Sequence, residues 1–323
     1  MKTVREHIGR AFLAKICVCT AVLHAGVLGV AIAHEPEIPV THPTLKAFLL
    51  SWNWRPDVIG IVATLGAVYA LGWWRLWKQG ARVARKWQLA LYLTALVATS
   101  LALLSPIDTY GSFLFFMHMI QHELLMMVAV PLLLLADPLP VILWGLPRNL
   151  RRGIGHLLIR GAFFRRVLRA LTWMPASWLL YVITLWVWHY PPMYQASLQN
   201  EFVHDAEHLS FFLTAILFWW PIVNPAPRVH GYISYGFRIA YVVLAALQNT
   251  LLAALIALTE RVLYPYYVTT PRLWGLTPLG DQITGGLIMW IPGGMMYVIT
   301  ALVLVARMLD HEVQITRQRE AMA

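Results

Sequence analysis

Cysteine is almost missing from this chain. The two present, Cys17 and Cys19, lie near its start, so the rest of the sequence has no thiol for a disulfide framework or a thiolate metal site. Charge is also scarce. Charged residues fill 12% of the 323 positions, about half the share of a soluble domain. Acids are scarcer than bases, with 15 Asp and Glu against 25 Lys and Arg, a formal net charge of +10. With 59% hydrophobic residues and a mean hydropathy of +0.62, these shortages exclude a soluble enzyme, a disordered chain and a small disulfide scaffold. They indicate a multi-spanning helical membrane protein. Basic loops beside a membrane account for the positive balance, and no nucleic-acid partner is expected.

The first 33 residues read as a secretory signal. Lys2, Arg5 and Arg10 form a basic start, an apolar run follows from Ile16 to Ile32, and Ala31-Ile32-Ala33 offers a small-residue cleavage site before His34. Cleavage there leaves a mature chain without cysteine; the alternative is an uncleaved first helix. Either reading puts residue 34 outside the cytoplasm, and 34–56 form a short extracytoplasmic segment.

Seven later runs are long enough to cross a bilayer at roughly 20 residues each: 57–76, 87–105, 113–136, 174–190, 203–223, 239–259 and 283–306. Unpaired backbone is not tolerated in the bilayer core, so the expected fold is all-α, a polytopic helix bundle over 57–306 with a cytoplasmic tail at 307–323. Alternate joins are basic. Arg75, Lys78, Arg82, Arg85 and Lys86 follow the first span. Arg148, Arg151, Arg152, Arg160, Arg165, Arg166 and Arg169 follow the third, Arg228 and Arg238 the fifth, and Arg307, Arg317 and Arg319 the seventh. The opposite joins carry Asp108, Glu201, Asp205, Glu207 and Asp281. The positive-inside rule then puts the mature N-terminus outside and the C-terminus in the cytoplasm. In the 147–170 loop the arginines read first as topology signals, with a short interfacial helix carrying Phe163 and Phe164 as the other reading.

Twelve histidines are many for such a chain. On this topology seven of them, His34, His42, His118, His122, His189, His204 and His208, fall outside or in the outer half of a span. His118 and His122 are four residues apart in Phe116-Met117-His118-Met119-Ile120-Gln121-His122-Glu123, so one helix face carries both imidazoles. His204 and His208 repeat that spacing, and His189 ends the fourth span. A single interfacial histidine is usually a cap or a hydrogen-bonded link between helices. Two pairs converging at one depth point to a metal or a proton path. Imidazole suits zinc, copper and iron, and thioether sulfur selects Cu(I). Met117, Met119 and Met126 on the third span are candidate thioether ligands, with packing as the plain alternative. Cleavage before His34 would add a terminal amine and imidazole able to chelate copper.

The segments His118-Met119-Ile120-Gln121-His122, Pro131-Leu132-Leu133, Asp137-Pro138, Trp188-His189-Tyr190-Pro191, Phe218-Trp219-Trp220-Pro221 and Tyr264-Pro265-Tyr266 resemble a known family. So does the long run from Asp281-Gln282-Ile283-Thr284-Gly285-Gly286 to Trp290-Ile291-Pro292-Gly293. Over roughly residues 57–306 the chain is similar to the bacterial cytochrome c oxidase assembly factors of the CtaG type. The match is looser at Pro192-Met193-Tyr194, where Leu is expected before the tyrosine. The resemblance implies a multi-pass protein of the bacterial plasma (inner) membrane that assembles haem-copper oxidases by handling copper. It puts the family's histidine motifs on His118, His122, His189, His204 and His208, and its acidic motif on Asp281.

The expected protein is therefore a copper carrier rather than an enzyme. It would hold Cu(I) on those five histidines with Met117, Met119 and Met126, while Asp281 and Glu207 orient ligand imidazoles through their second nitrogen. Its partners would be oxidase subunits, the lipid bilayer and a periplasmic copper donor. A haem-binding redox protein, a copper or proton transporter and a metal-free assembly scaffold are the competing readings.

Overall fold

The computed structural model describes residues 43–81, 85–159 and 161–322. The expectations for the leader, Cys17, Cys19, His34 and His42, and the loop bases Arg82 and Arg160, lie outside the described residues. Among the described residues the chain is helical throughout and has no strand. In order it forms α1 (Leu45–Leu50), α2 (Pro56–Lys78), α3 (Lys86–Leu104), α4 (Pro106–Gly111), α5 (Phe115–Leu135), α6 (Pro138–Gly145) and α7 (Arg148–Leu158). There follow α8 (Phe163–Leu171), α9 (Met174–His189), α10 (Pro191–Gln199), α11 (Glu201–Val223), α12 (Tyr235–Ala257), α13 (Tyr266–Thr269) and α14 (Pro278–Met322). Proline opens α2, α4, α6, α9, α10 and α14, where its missing N–H removes no intrahelical bond.

Helices α2, α3, α5, α11, α12 and α14 are each long and apolar enough to cross a membrane. The expected fourth span differs. At 16 residues α9 is roughly 24 Å long, short of a bilayer core of roughly 30 Å. It reaches spanning length only together with α8, from which it bends by 65°. The last span also runs past its expected end, because α14 continues without a break to Met322. The 147–170 loop is not plain connection either: it contains α7 and α8, whose apolar and basic residues separate onto opposite faces.

Helix α5 sits in the middle. Of its apolar window 61% is buried, against 11% for α2, which leaves α2 at the rim. The main core joins Phe115, Met119 and Met126 of α5 to Tyr181 and Leu185 of α9, Phe211 and Phe218 of α11, Val242 and Ala245 of α12, and Tyr297 of α14. A second cluster packs Tyr69 of α2 and Tyr92 of α3 with Val141 of α6. At Gly72 a Cβ would stand 1.9 Å from the Val141 carbonyl oxygen, so α2 and α6 approach closely only because that residue is glycine.

Helices α5 and α14 each contain a π turn, Leu124–Ala129 in α5 and Met289–Gly293 in α14. Pro131 and Pro292 lie beside or within them and withhold an N–H from the ladder. A carbonyl in each turn is met from another helix. Trp219 Nε1 donates to the Met126 oxygen (3.0 Å), and Asn249 Nδ2 donates to the Met289 oxygen (3.0 Å). In a dry environment such partners make a widened turn tolerable.

Candidate metal centre

The start of α5 has no capping side chain of its own, since Leu114 occupies the cap position. Asp281 of α14 supplies the missing acceptors from across the bundle. Its two carboxylate oxygens accept the backbone N–H groups of Phe115 (2.8 Å) and Phe116 (3.0 Å). One turn further along α14, a Cβ on Gly285 would stand 2.3 Å from the Phe115 ring. The two contacts fix the first turn of α5, which carries His118. The role expected for Asp281 is corrected by this: it orients a helix, and its oxygens are committed to backbone N–H groups rather than to an imidazole.

The histidine pairs on α5 and α11 meet. Ring centroids of His118 and His122 are 4.4 Å apart, and those of His204 and His208 are 4.2 Å apart. Across the two helices His118 lies 5.2 Å from His204 and 5.5 Å from His208, and His122 lies 5.2 Å from His208. His189, at the end of α9, approaches His122 at 6.1 Å. Glu207, expected to orient a ligand imidazole from behind, stands between two imidazoles. Its two oxygens are each 3.8 Å from an Nε2, one from His118 and one from His122. Residues 204, 207 and 208 follow i, i+3, i+4 spacing and share one face of α11.

Hydrogen bonds fix two of the tautomers. Tyr267 donates its hydroxyl proton to the Gly111 carbonyl (3.0 Å), so its oxygen must accept from Tyr194 (2.9 Å). Tyr194 has then spent its only proton, and its oxygen accepts from His118 Nδ1 (2.8 Å). His118 thus carries its proton on Nδ1 and keeps a lone pair on Nε2. His189 Nδ1 likewise donates to the Leu185 carbonyl (2.7 Å), which can only accept. Both histidines anchor one nitrogen and leave the other free, as metal-ligating histidines do. Burial keeps the Tyr194 and Tyr267 hydroxyls protonated far above their ordinary range, so this chain holds its polarity at any working pH.

The atoms left over form the site. His118 Nε2, both nitrogens of His122, Nε2 of His189 and His208, and both oxygens of Glu207 are buried with no hydrogen-bond partner. The Ser197 hydroxyl lies near Glu207, but its proton goes to the Tyr194 carbonyl (2.8 Å). An unmet buried polar atom costs about 1–3 kcal/mol, and folded proteins leave few of them. Five side chains gather these seven atoms, and although a neutral His122 offers a lone pair on only one of its two nitrogens, the set fits the donors of a cation site. Two groups of donor atoms lie within 4.8 Å of one another: His118, His204 and His208, and His118, His122 and Glu207. His118 belongs to both. His204 alone among the five histidines is not fully buried, which makes it the side from which the site opens. Beside it Asp205 is held by both guanidinium nitrogens of Arg55 (2.6 and 2.9 Å), which also bridges to Asp57 and so ties the entry of α2 to α11.

The expected methionines fall elsewhere. Met117 packs with Tyr110, Phe113, Leu114 and Leu273, and Met119 lies against Gly285 with its Cγ 3.2 Å from where a Cβ would be. Met126 is four residues beyond His122, which in a regular helix continues the histidine face, but the π turn widens the repeat directly after Glu123. Met126 belongs to the main core, with its carbonyl held by Trp219. Sequence reasoning missed the Tyr267–Tyr194–His118 chain, for which no local spacing gives a signal. The i+3 step from His204 to Glu207 could have been found.

An uncharacterised protein of Mycobacterium leprae is 24% identical over 86% of this chain and 43% of its own length. Uncharacterised proteins of Mycobacterium bovis and Mycobacterium tuberculosis are each 26% identical over 77% of this chain and 38% of theirs. The chain thus spans less than half the length of these relatives. No solved structure matches it. The family model for the cytochrome c oxidase caa3 assembly factor matches residues 67–311, a stretch that contains every histidine of the cluster, Tyr194, Glu207 and Asp281. With most of its length inside that match, the chain belongs to the cytochrome c oxidase caa3 assembly factor family.

Proposed function

We propose that this protein assembles cytochrome c oxidase by holding a copper ion at the histidine cluster and passing it to the apo-oxidase, as a carrier and not as an enzyme. The observation that carries the reading is the set of seven buried, unpartnered ligand atoms around His118 and Glu207. His118, His204 and His208 form an all-nitrogen triad suited to copper in either oxidation state, and three ligands without cysteine make a site from which the ion can leave. His204 at the opening is the first ligand to release. The bend of charge supports the setting: arginine-rich loops lie at one end of the helices and the cluster at the other, so the cluster faces outside the cytoplasm of a bacterial plasma membrane. A periplasmic donor would load it.

One feature favours a second reading. The triad of His118, His122 and Glu207 includes a carboxylate, which suits a harder divalent ion such as zinc or iron. Haem is disfavoured, because imidazole rings 4.2–5.5 Å apart leave no slot for a macrocycle.

The test is metal analysis of purified protein after anaerobic Cu(I) loading, wild type beside His118→Ala/His122→Ala, with zinc and iron offered in competition. Copper held by wild type and lost by the variant, together with lost oxidase activity at normal protein abundance, is expected. A wild type that takes no copper, or a variant with full oxidase activity, would refute the carrier.

A further inference from the structure

At the end of α9 and α11 far from the histidines lies an open cavity of about 470 Å³, lined by Arg166, Arg169, Ala170, Trp173 and His230. Arg166 and Arg169 are i, i+3 on α8 and project from one face. Neither forms a salt bridge among the described residues, and the sequence has no acid at all from 138 to 200. Their neighbour Arg165 is already used, donating to the carbonyls of Leu158 (3.0 Å) and Arg228 (2.7 Å), which fixes the loop wall. Thr172 donates to the Leu168 carbonyl (2.6 Å), so its oxygen accepts from His230 Nε2 (2.8 Å). Burial, and then the charge of Arg169, pull the His230 imidazole below its ordinary range, so the ring is neutral at pH 7 and the positive charge of the cavity comes from the two arginines.

The surrounding surface is apolar. Phe163 is 74% exposed, Phe164 49% and Trp173 59%, all beside the cavity or on the helix that bears it. Helix α8 turns 65° away from α9, so the two do not continue one straight helix. A short helix with arginines on one face and phenylalanines on the other, next to an exposed tryptophan, is built to lie in the headgroup layer. Guanidinium forks match phosphate oxygens in pairs, and a cavity at that depth opens to lipid headgroups.

We propose that the Arg166–Arg169–Trp173–His230 cavity binds the phosphate of an anionic phospholipid, whose acyl chains lie along Phe163, Phe164 and Trp173. The site is separate from the histidine cluster and does not rest on the copper reading.

The full chain, reconstituted in phosphatidylcholine nanodiscs with and without phosphatidylglycerol, tests it by thermal unfolding and by extraction of retained lipid. Wild type should melt higher with phosphatidylglycerol and enrich that lipid over its share in the mixture. Arg166→Gln/Arg169→Gln should lose both effects, whereas Arg148→Gln/Arg152→Gln, equally less basic but outside the cavity, should keep them. Arg166→Lys/Arg169→Lys, which preserves charge without the planar fork, guards against misfolding and should retain part of the enrichment. Equal loss in the two glutamine variants, or full enrichment in the first, would overturn the proposal. So would inorganic phosphate reproducing the shift in phosphatidylcholine alone, since the site would then take free phosphate.

Discussion

Helices α9 and α11 carry histidine chemistry at one end, and α8, next to the start of α9, carries the opposite chemistry. At one end His118, His189, Glu207 and His208 present buried polar atoms with no hydrogen-bond partner, and His204 lies beside them at the opening. At the other, Arg166, Arg169 and Trp173 line an open cavity with N–H donors and no carboxylate. Lone pairs in a dry setting are completed by a cation; guanidinium groups in a headgroup layer are completed by an anion. The difference in burial also sets the kind of specificity. The histidine end is positioned by fixed hydrogen bonds, from Tyr267 through Tyr194 to His118, while the arginine end has wide access and selects by charge.

The largest effect that can break this comparison is at His118. As the residue common to both ligand groups, His118→Ala should lower copper affinity by more than the roughly 10–100-fold that loss of an outer partner causes. His204→Ala removes a member of one group only and should cost less. Affinities measured by competition with a copper chelator rank the two. A larger loss for His204→Ala would make the all-histidine triad dominant and the Glu207 group irrelevant to copper.

Next comes Tyr194→Phe. Without the hydroxyl, His118 Nδ1 has no acceptor and the ring is free to take the other tautomer. A loss of roughly 10–100-fold in copper affinity is expected, with the fold intact. Unchanged affinity would mean that the tyrosine chain only fills space.

Two glycines test the ends by packing alone. Gly285→Val drives into the Phe115 ring at the histidine end, and Gly72→Val drives into the Val141 carbonyl at the α2–α6 contact, away from the histidines. Each should destabilise by about 1–3 kcal/mol or more by thermal unfolding. Only Gly285→Val should also weaken copper binding, because Phe115 opens the helix turn that carries His118.

A smaller effect belongs to Asp108, between the two spans that flank the histidine end. It accepts from Asn53 (2.8 Å) and Gln121 (2.7 Å), yet burial outweighs both donors and pushes its carboxyl up to about 6. A carboxyl raised in the folded state binds its proton more tightly there than in the unfolded chain, where it titrates near pH 4. Its contribution to stability is therefore present at low pH and is lost as pH rises from about 4 to about 6. Subtracting the thermal stability of Asp108→Asn from that of wild type across that range should isolate a falling curve; a flat difference would contradict the shift.

Much of the histidine end was legible because it is local. The i, i+4 pairs His118/His122 and His204/His208 are written in consecutive residues, and amphipathic spacing carries them onto one face. What was not legible needed distance along the chain or a departure from the 3.6 repeat. Asp281 caps α5 from 166 positions away, and no spacing rule links them. The π turn after Glu123 re-aims the rest of α5, which is why Met126 did not fall where a regular helix would put it. The arginine end was read first as topology, with a short interfacial helix as the other reading, since charge patterning tells which side a loop favours but not that Arg166 and Arg169, without a salt bridge among the described residues, line one cavity with His230.

The smallest expected effect is the coupling between the ends, and it is the sharpest test of their independence. Residues more than about 7–10 Å apart with no shared partners give additive changes within about 0.3–0.5 kcal/mol. Along α11, His208 lies 15 residues, roughly 22 Å, before the helix end at Val223, and His230 of the arginine cavity follows that end in sequence. The quadruple variant His118→Ala/His122→Ala/Arg166→Gln/Arg169→Gln should therefore lose stability by the sum of its two halves. Copper affinity in Arg166→Gln/Arg169→Gln should equal that of wild type, and phosphatidylglycerol enrichment in the histidine variant should be unaltered. A departure larger than that margin would mean that α9 or α11 passes strain from one end to the other. The widest route for it is Trp219, which joins α11 to the released Met126 carbonyl in α5. Trp219→Phe in the same cycle would then remove the coupling while leaving both sites in place.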